Sequence, residues 1–293
     1  MRIVVAGYDK MLAALISGAK FNGHDVVGVL RIDRVRYSKP ALFFKDIFNP
    51  SKDFSFIKSH KLYDIKAESV KSKKFYDEIK RLNPDIILVG SWSEKFPDEI
   101  LKLPKYGVIN CHPSLLPKHR GANPYFWAIY SGDSKTGVTF HIMDENFDTG
   151  KILMQAAFDI TPDMTGGALK NKAAKVAELM VGELLKDLEC GKIIPVVQDE
   201  EKATYDKYPY PDIDVIDFME PAIKICARVR GLRPWVYCSC VLCVNGIEKV
   251  YRIKNVKVSD KDFCGYNAGD IINVCDKIFD IACLEGAVQI NVF

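Results

Sequence analysis

The first thirty residues constrain the fold most, because they read as a strand, a helix and a second strand. Residues 2–7 are apolar and rich in β-branched side chains, a helical pattern follows, and residues 25–30 are apolar again after the Asn22-Gly23 turn. Two strands joined by a helix pair in parallel through a right-handed crossover. The sequence therefore predicts an open α/β sheet. Its first turn lacks the Gly-x-Gly-x-x-Gly spacing of a dinucleotide site, so that function has no support.

The alternation of strands and helices continues to about residue 204. Strands are predicted at residues 84–90, 107–112, 136–143 and 151–160, and helices at 70–82, 97–103 and 165–189. Such alternation is typical of an α/β sheet. Residues 31–55 are predicted to be irregular. They form either a solvated loop with an apolar plug at Phe43 and Phe44, or a loop that contacts an anionic acceptor.

The pattern changes after about residue 205. Residues 205–216 contain prolines and tyrosines and are predicted to be a linker, and a helix is predicted at 217–230. Short β runs separated by turn signals follow, which favours a small barrel. We therefore predict a larger domain at residues 1–204 and a smaller, mainly β domain at 217–293.

Composition excludes several classes of protein. The net charge is only +3, from 41 basic and 38 acidic residues, which weakens an interpretation based on nucleic-acid binding. No apolar run approaches the 18 residues of a membrane helix, so no membrane partner is expected. The first residues lack the charged and apolar regions of a secretory signal, which predicts a cytoplasmic protein.

The nine cysteines are expected to be thiols in that compartment. Cys238, Cys240 and Cys243 are close in sequence but lack a second pair at metal-ligand spacing. We interpret them as small buried side chains of a strand, and we expect no metal.

The residues with catalytic potential follow predicted strands. Asn110 and His112 are two apart at the end of a buried strand, so they face the same way, and Asp148 lies in an acidic loop after another strand. Ligands bind at this edge of an open α/β sheet. An amide, an imidazole and a carboxylate there can support acyl transfer. Each residue also has a structural alternative, as a turn former or a satisfied polar group.

The stretches NCHPSLLPKHRG (110–121) and DENFDTG (144–150) resemble formyltransferases that use 10-formyltetrahydrofolate. The resemblance implies a Rossmann-like, mostly parallel sheet and no metal. It places the catalytic roles on Asn110, on a protonated His112 and on Asp148, with Asn110 and His112 stabilising the oxyanion. The folate contacts it implies are Trp92, Ser93, Glu94, Phe96, Met143 and Asp144.

The C-terminal part is similar to the barrel-like, OB-type domain of methionyl-tRNA formyltransferases. Arg230, Pro234 and Trp235 carry this resemblance, but an appended domain of this kind also occurs in an enzyme that formylates a nucleotide-linked sugar. Residues 205–293 hold 11 basic and 12 acidic residues, a net of −1, whereas a tRNA-binding domain should present a basic face.

The first turn, at residues 7–11, and the segment at 122–127 also differ from what is expected of the tRNA enzymes. These departures favour a nucleotide-linked amino sugar as the acceptor, with initiator methionyl-tRNA as the alternative. The acceptor contacts expected are Tyr8, Lys10, Ser114, Lys118 and Arg120. A catalytically silent folate- or nucleotide-binding protein, a hydrolase that releases formate, and a homodimer are left open.

Overall fold

The computed structural model describes residues 1–208 and 212–293, which form two compact units. The first unit comprises Met1–Gly121, Thr136–Phe158 and Lys170–Tyr205, and the second Ala122–Lys135, Asp159–Leu169 and Asp206–Phe293. Part of the predicted linker, at 209–211, lies outside the described residues. The predicted domain boundaries stay predictions.

An open, mostly parallel sheet forms the centre of the first unit. In chain order the strands are β1 (Arg2–Gly7), β2 (Asp25–Arg31), β3 (Ile86–Gly90), β4 (Val108–His112), β5 (Arg120–Gly121), β6 (Lys135–Ile142), β7 (Ile152–Asp159) and β8 (Tyr205–Asp206). The sheet order is β2-β1-β3-β4-β6-β7, and the short strands β5 and β8 pair separately. β1 pairs in parallel with β2 and β3, β3 pairs in parallel with β4, and β4 pairs antiparallel with β6. The predicted fold class is confirmed.

Helices alternate with the strands of the first unit and also occur in the second. In chain order they are α1 (Asp9–Phe21), α2 (Asp33–Arg36), α3 (Lys39–Phe48), α4 (Lys52–Ser59), α5 (Lys73–Leu82), α6 (Asp98–Leu101), α7 (Pro124–Ser131), α8 (Gly166–Glu189) and α9 (Ala222–Leu232). α7 and α9 belong to the second unit. α5 shows why these segments are helical. The Ser72 hydroxyl accepts the Phe75 N–H at its start, Phe75, Ile79 and Leu82 are buried along one face, and Asn83 ends the helix in a left-handed conformation.

The prediction that residues 31–55 are irregular was wrong, because α2, α3 and α4 occupy this segment. A buried ion cluster organises it. The fully buried Arg31 guanidinium bonds to Asp33, Asp46 and Asp64, three carboxylates that lie far apart in the sequence. The apolar plug was also wrong, since the Phe43 and Phe44 side chains are 63% and 58% exposed.

The second unit holds a five-stranded antiparallel sheet. Its strands are β9 (Ser239–Val244), β10 (Ile247–Val258), β11 (Ile271–Cys275), β12 (Ile278–Ala282) and β13 (Ala287–Val292), in the order β11-β12-β13-β10-β9. Apolar side chains of α9 and these strands share one core, which includes Ile225, Leu232, Ile253 and Ile290. This architecture agrees with the predicted small, mainly β, barrel-like domain.

The cysteines are all free thiols. Cys238 and Cys240 are buried as predicted, but Cys243 is exposed. Cys240 and Cys243 are three residues apart on β9, so strand periodicity places them on opposite faces.

Within residues 1–208 and 212–293, no helix is long and apolar enough to cross a membrane. The same residues contain no group of three or more histidine, cysteine, aspartate or glutamate side chains placed to hold a metal ion.

Candidate active site

Asn110, His112 and Asp148 meet at the carboxyl end of β4. β4 carries Asn110 and His112, and Asp148 follows β6, the neighbouring strand. Asp148 Oδ1 lies 3.1 Å from Asn110 Nδ2, which donates to it, and 3.4 Å from His112 Nδ1. The structure therefore brings together the three side chains to which the sequence assigned catalytic roles.

The Asp148 carboxylate is buried and held from several sides. Asp148 has a left-handed backbone with φ of 60°, and its Oδ2 accepts the Gly121 N–H at 2.9 Å. At Gly150 there is no room for a side chain, because a Cβ would lie 1.7 Å from the Ile142 carbonyl oxygen. Burial alone would raise the pKa of Asp148. His112, His141 and the Gly121 N–H outweigh it and hold the pKa far below its usual range. Asp148 is therefore ionised at neutral pH.

The His112 imidazole has one nitrogen fixed and one available. Nε2 lies 2.8 Å from the His119 carbonyl oxygen, which can only accept, so Nε2 carries a hydrogen. Nδ1 faces Asp148. Burial lowers the pKa of His112 below its ordinary value of 6.5, although the Asp148 charge opposes this. The direction of this pKa shift favours the neutral imidazole, whereas the protonated His112 implied by the resemblance stays a prediction.

His141 is a fourth member of this site that the sequence did not reveal. It lies opposite Asn110 in the β4–β6 register, and its Nδ1 lies 3.0 Å from the Ile142 carbonyl oxygen. That bond leaves His141 Nε2 as the acceptor for Asn110 Nδ2, at 3.1 Å. The Asn110 amide thus donates to both His141 and Asp148. The alternation of β6 was visible in the sequence, but its register against β4 was not.

Comparisons with known proteins decide the family. Residues 1–184 match the family model described as formyl transferase, and residues 211–293 match that of the formyl transferase C-terminal domain. The chain belongs to the formyltransferase family.

Curated relatives match this formyltransferase over almost its whole length. It is 35% identical to the methionyl-tRNA formyltransferase of Caldanaerobacter subterraneus, over 99% of this chain and 91% of the relative. It is 32% identical to that of Lachnospira eligens, with the same coverage. Among solved structures, the sugar 3N-formyl transferase WlaRD, solved in the presence of dTDP and 5-N-formyl-THF, has a TM-score of 0.70 at 18% identity. It covers 100% of this chain and 98% of its own, and at that identity the likeness concerns the fold alone.

Two of the predicted acceptor contacts point inward in this formyltransferase. The Ser114 hydroxyl is buried and donates to the Lys118 carbonyl oxygen at 2.6 Å. Arg120 is fully buried, and its guanidinium bonds to Gln198, Glu200 and Tyr205. Neither side chain is placed to contact a substrate phosphate. Both brace the loop after β4, and the sequence could not show which way they turn.

The other predicted acceptor contacts lie at the surface. Lys10 and Lys118 are exposed, and Tyr8 is half-buried at the end of β1. The Tyr8 ring has the Arg36 guanidinium 5.1 Å from its centroid and the Lys170 ammonium at 5.2 Å. Cations therefore surround Tyr8 at the edge of the sheet that carries Asn110.

The predicted folate contacts after β3 divide into core and surface residues. Phe96 is 3% exposed, and its ring centroid lies 6.2 Å from that of Phe75 and 6.4 Å from that of Trp92, so it packs in the core beside Trp92. Glu94 accepts the Ser69 hydroxyl at 2.9 Å and the Val70 N–H at 3.1 Å, which ties the loop down. Ser93 is exposed. Trp92 is half-buried, and its indole Nε1 is buried without a partner among the described residues.

The remaining predicted folate contacts lie in the acidic loop. Met143 is half-buried, and its N–H donates to the Val108 carbonyl oxygen at 2.8 Å. The Asp144 carboxylate accepts the Thr149 hydroxyl at 2.6 Å, so it shapes the loop that carries Asp148. Lys95 lies over the Phe147 ring at 5.4 Å and joins this loop to the one after β3.

Proposed function

We propose that this formyltransferase transfers the formyl group of 10-formyltetrahydrofolate to the amino group of initiator methionyl-tRNA. The relatives that match it over almost the whole chain are named methionyl-tRNA formyltransferases, which favours the alternative acceptor of the sequence analysis over the nucleotide-linked sugar. The observation that carries the proposal is the surface formed by residues 31–61.

This surface separates charges by sign. The exposed charged side chains of residues 31–61 are all cations: Arg36, Lys39, Lys52, Lys58 and Lys61. The acids of the segment turn inward. Asp33 and Asp46 bond to Arg31, and Asp53 accepts the Asp9 N–H at 2.9 Å. A chain that is almost neutral by count thus presents a cationic face suited to a polyanion.

The same surface exposes aromatic side chains. Phe43, Phe44, Ile47 and Phe48 of α3 are all more than half exposed. The Phe44 and Phe48 rings lie nearly parallel, with centroids 6.3 Å apart. Exposed aromatic rings among cations are the features that bind unpaired nucleotides, because every base can stack on a ring. The unpaired end of a tRNA provides such bases.

A second group of exposed cations lies on β10, distributed over both faces of the strand. Its exposed charged residues are Lys249, Arg252, Lys254 and Lys257 against Glu248 alone. The net charge of −1 for residues 205–293 therefore conceals a local excess of cations. This strand supports a contact with the tRNA backbone.

The catalytic roles follow from the hydrogen bonds. The amine nitrogen of the acceptor attacks the formyl carbon and must lose a proton. The bond from that carbon to the folate nitrogen then breaks, and one proton returned to this nitrogen, by way of His112, lets tetrahydrofolate leave. We assign proton acceptance to His112 Nδ1, since Nε2 is held by His119. The imidazolium that forms is stabilised by the Asp148 carboxylate. Burial of both groups strengthens this attraction relative to water.

Asn110 is proposed to stabilise the oxygen on which negative charge develops. Both of its amide hydrogens are bonded to protein atoms, one to His141 and one to Asp148. We expect the hydrogen facing Asp148 to be exchanged for the reacting oxygen. The bond to His141 then keeps the amide oriented.

The co-substrate supplies the activated formyl group, and the described residues fit a folate. A buried indole N–H without an acceptor costs about 1–3 kcal/mol, and a pterin or formyl acceptor would satisfy Trp92 Nε1. The loop after β3 and the acidic loop, which Lys95 and Phe147 join, would hold the folate beside Asn110.

Added 5-formyltetrahydrofolate, a stable folate probe, should raise the melting temperature of the protein, because it binds only the native state. Trp92→Phe should reduce that shift, since the donor is lost while the ring is kept. Trp127→Phe is the matched control, because Trp127 Nε1 already donates to the Lys207 carbonyl oxygen. Thermal unfolding measures the shift. If folate raises the melting temperature equally in the wild type, Trp92→Phe and Trp127→Phe, the folate does not bind at Trp92.

A nucleotide-linked amino sugar is the second candidate acceptor. The net charge of −1 for residues 205–293 favours it, since two phosphates could be paired by Lys10 and Lys118 alone. Turnover with 10-formyltetrahydrofolate separates the candidates when initiator methionyl-tRNA is compared with a panel of nucleotide-linked 3-amino and 4-amino sugars.

We expect efficient formylation of methionyl-tRNA and little of the sugars. The reverse result would overturn the proposed acceptor. Formate release at the same rate without any acceptor would indicate a hydrolase. If neither formylation nor formate release is observed and folate still binds, the protein would be a binding protein without catalytic activity.

A further inference from the structure

Gln198 lies on the segment after α8 and contacts the loop that carries Asp148. It is 5% exposed. Its Nε2 donates to the Asp148 carbonyl oxygen at 2.8 Å and to the Gly150 carbonyl oxygen at 2.7 Å. A single side-chain amide therefore holds both ends of the Asp148–Gly150 turn.

Arg120 fixes Gln198 from the other side. The Gln198 Oε1 accepts from Arg120 Nε at 3.0 Å and from Nη2 at 2.9 Å. The remaining donors of this fully buried guanidinium bond to both oxygens of Glu200 and to the Tyr205 hydroxyl. All five donors of Arg120 and all four hydrogen-bonding positions of the Gln198 amide are thus used. A fully satisfied network of this kind is rigid.

The same segment also restrains the loop that contacts His112. The Thr204 hydroxyl accepts the His119 N–H at 2.8 Å, and the Thr204 carbonyl oxygen accepts the Arg120 N–H at 2.9 Å. His119 in turn supplies the carbonyl that fixes His112. Residues 198–205 are therefore bonded to the loops of both acid–base partners.

We propose that Gln198, held by Arg120, is a positioning residue that fixes the Asp148 carboxylate against His112. This inference rests on the proposed function, because it requires Asp148 to assist His112 during formyl transfer. Asp148 has a left-handed backbone, which aspartate can adopt but which does not by itself fix the direction of the carboxylate. The two bonds from Gln198 to the carbonyls of Asp148 and Gly150 hold this turn in one orientation.

The test compares Gln198→Met, which keeps side-chain length and removes every hydrogen bond, with Gln155→Met. Gln155 Nε2 likewise donates to a backbone carbonyl, that of Leu116 at 2.8 Å, and it contacts none of the proposed catalytic residues. We expect kcat of Gln198→Met with methionyl-tRNA to fall about tenfold to a hundredfold through misplacement of Asp148, with KM of both substrates almost unchanged. Gln155→Met should keep the wild-type kcat.

Two further readouts separate positioning from a purely structural role. The Asp148 charge raises the pKa of His112. A displaced carboxylate in Gln198→Met should therefore shift the NMR titration of His112 to lower pH. In an Asp148→Asn background, Gln198→Met should cause no further loss of kcat, because it acts through Asp148. An additive loss, or an unchanged His112 titration, would overturn the proposal.

A wild-type rate for Asp148→Asn itself would contradict the catalytic role proposed for Asp148, independently of the role of Gln198. Should Gln198→Met not fold, Glu200→Ala removes the exposed partner of Arg120 instead. A drop in kcat that disappears in the Asp148→Asn background would support the proposal. A wild-type kcat for Glu200→Ala would contradict it.

Discussion

Asp148→Asn is expected to lower kcat for formyl transfer by about 10²–10⁴-fold, the usual contribution of acid–base catalysis. The amide occupies the volume of the carboxylate but cannot stabilise a charged His112. Asparagine also accepts the left-handed backbone of this position, so the fold should persist. Steady-state and single-turnover kinetics at saturating substrates measure the effect, and circular dichroism verifies folding.

The pH dependence gives a second check on the same assignment. The pKa of His112 lies below its ordinary value, so its protonation should end activity only below the usual histidine range. Asp148 opposes the effect of burial, and its removal should lower that pKa further. The acid limb of the kcat profile should therefore move to lower pH in Asp148→Asn. A shift to higher pH would mean that the carboxylate does not act on His112.

Asp98→Asn is the matched control for charge removal. Asp98 is exposed on α6, and its partner is Lys102, at 2.6 Å. The same chemical change there should leave kcat unaltered. If Asp148→Asn has no larger effect than Asp98→Asn, the acid–base assignment is wrong.

Part of the convergence of Asn110, His112 and Asp148 could be predicted from a local rule. Residues two apart on a strand face the same way, so Asn110 and His112 were expected to share one face of β4. Asp148 follows β6, which runs antiparallel to β4, so its carboxylate reaches that pair only because the loop at 143–150 returns along β4. Gly150 permits this turn, since a Cβ there would meet the Ile142 carbonyl oxygen.

The partners of these three residues could not be predicted, because distant parts of the chain supply them. His141 faces Asn110 only through the antiparallel register of β4 and β6, and Gln198 reaches Asp148 from 50 residues away. The direction of Arg120 depends on Glu200 and Gln198. No periodicity of the sequence encodes such contacts.

The prediction that residues 31–55 are irregular failed for a different reason. Phe44, Ile47 and Phe48 recur at the i, i+3, i+4 spacing of a helix, so α3 could have been inferred from the sequence, although Leu42 is its one buried residue. What fixes the segment is the bonding of Arg31 to Asp46 and Asp64, on either side of α4. The exposure of Phe43 and Phe44 follows from that arrangement and supports an acceptor-binding surface.

Lys39→Glu combined with Lys52→Glu is expected to weaken methionyl-tRNA binding roughly tenfold or more at low salt. Each phosphate contact contributes about 0.7–0.9 to the slope of log affinity against log salt, so the slope should fall by nearly two. Both lysines are exposed first residues of helices, α3 and α4. An acidic side chain there interacts favourably with the helix dipole, so stability should not suffer. Binding titrations over a range of salt concentrations measure both quantities.

Lys192→Glu provides the same change of charge at an exposed position after α8, outside the 31–61 surface. The affinity of Lys192→Glu for methionyl-tRNA should fall much less than that of the double variant. The slope of its log affinity against log salt should match that of the wild type. An equal loss in the Lys192 variant would indicate a general effect of net charge and would contradict a defined contact surface.

Phe44→Ser tests whether a base stacks on the aromatic rings of the 31–61 surface, an interaction that does not depend on salt. Stacking of a base on an aromatic ring contributes about 1–3 kcal/mol, so affinity should fall roughly five- to a hundredfold with an unchanged salt slope. Phe21→Ser, at the highly exposed end of α1, is the control for removal of an exposed ring. Loss of affinity in Phe44→Ser, and not in Phe21→Ser, would place an unpaired nucleotide against α3. The opposite outcome is equal methionyl-tRNA affinity in Phe44→Ser and Phe21→Ser, with wild-type salt dependence in the lysine variants. That outcome would contradict a tRNA acceptor and favour the nucleotide-linked amino sugar.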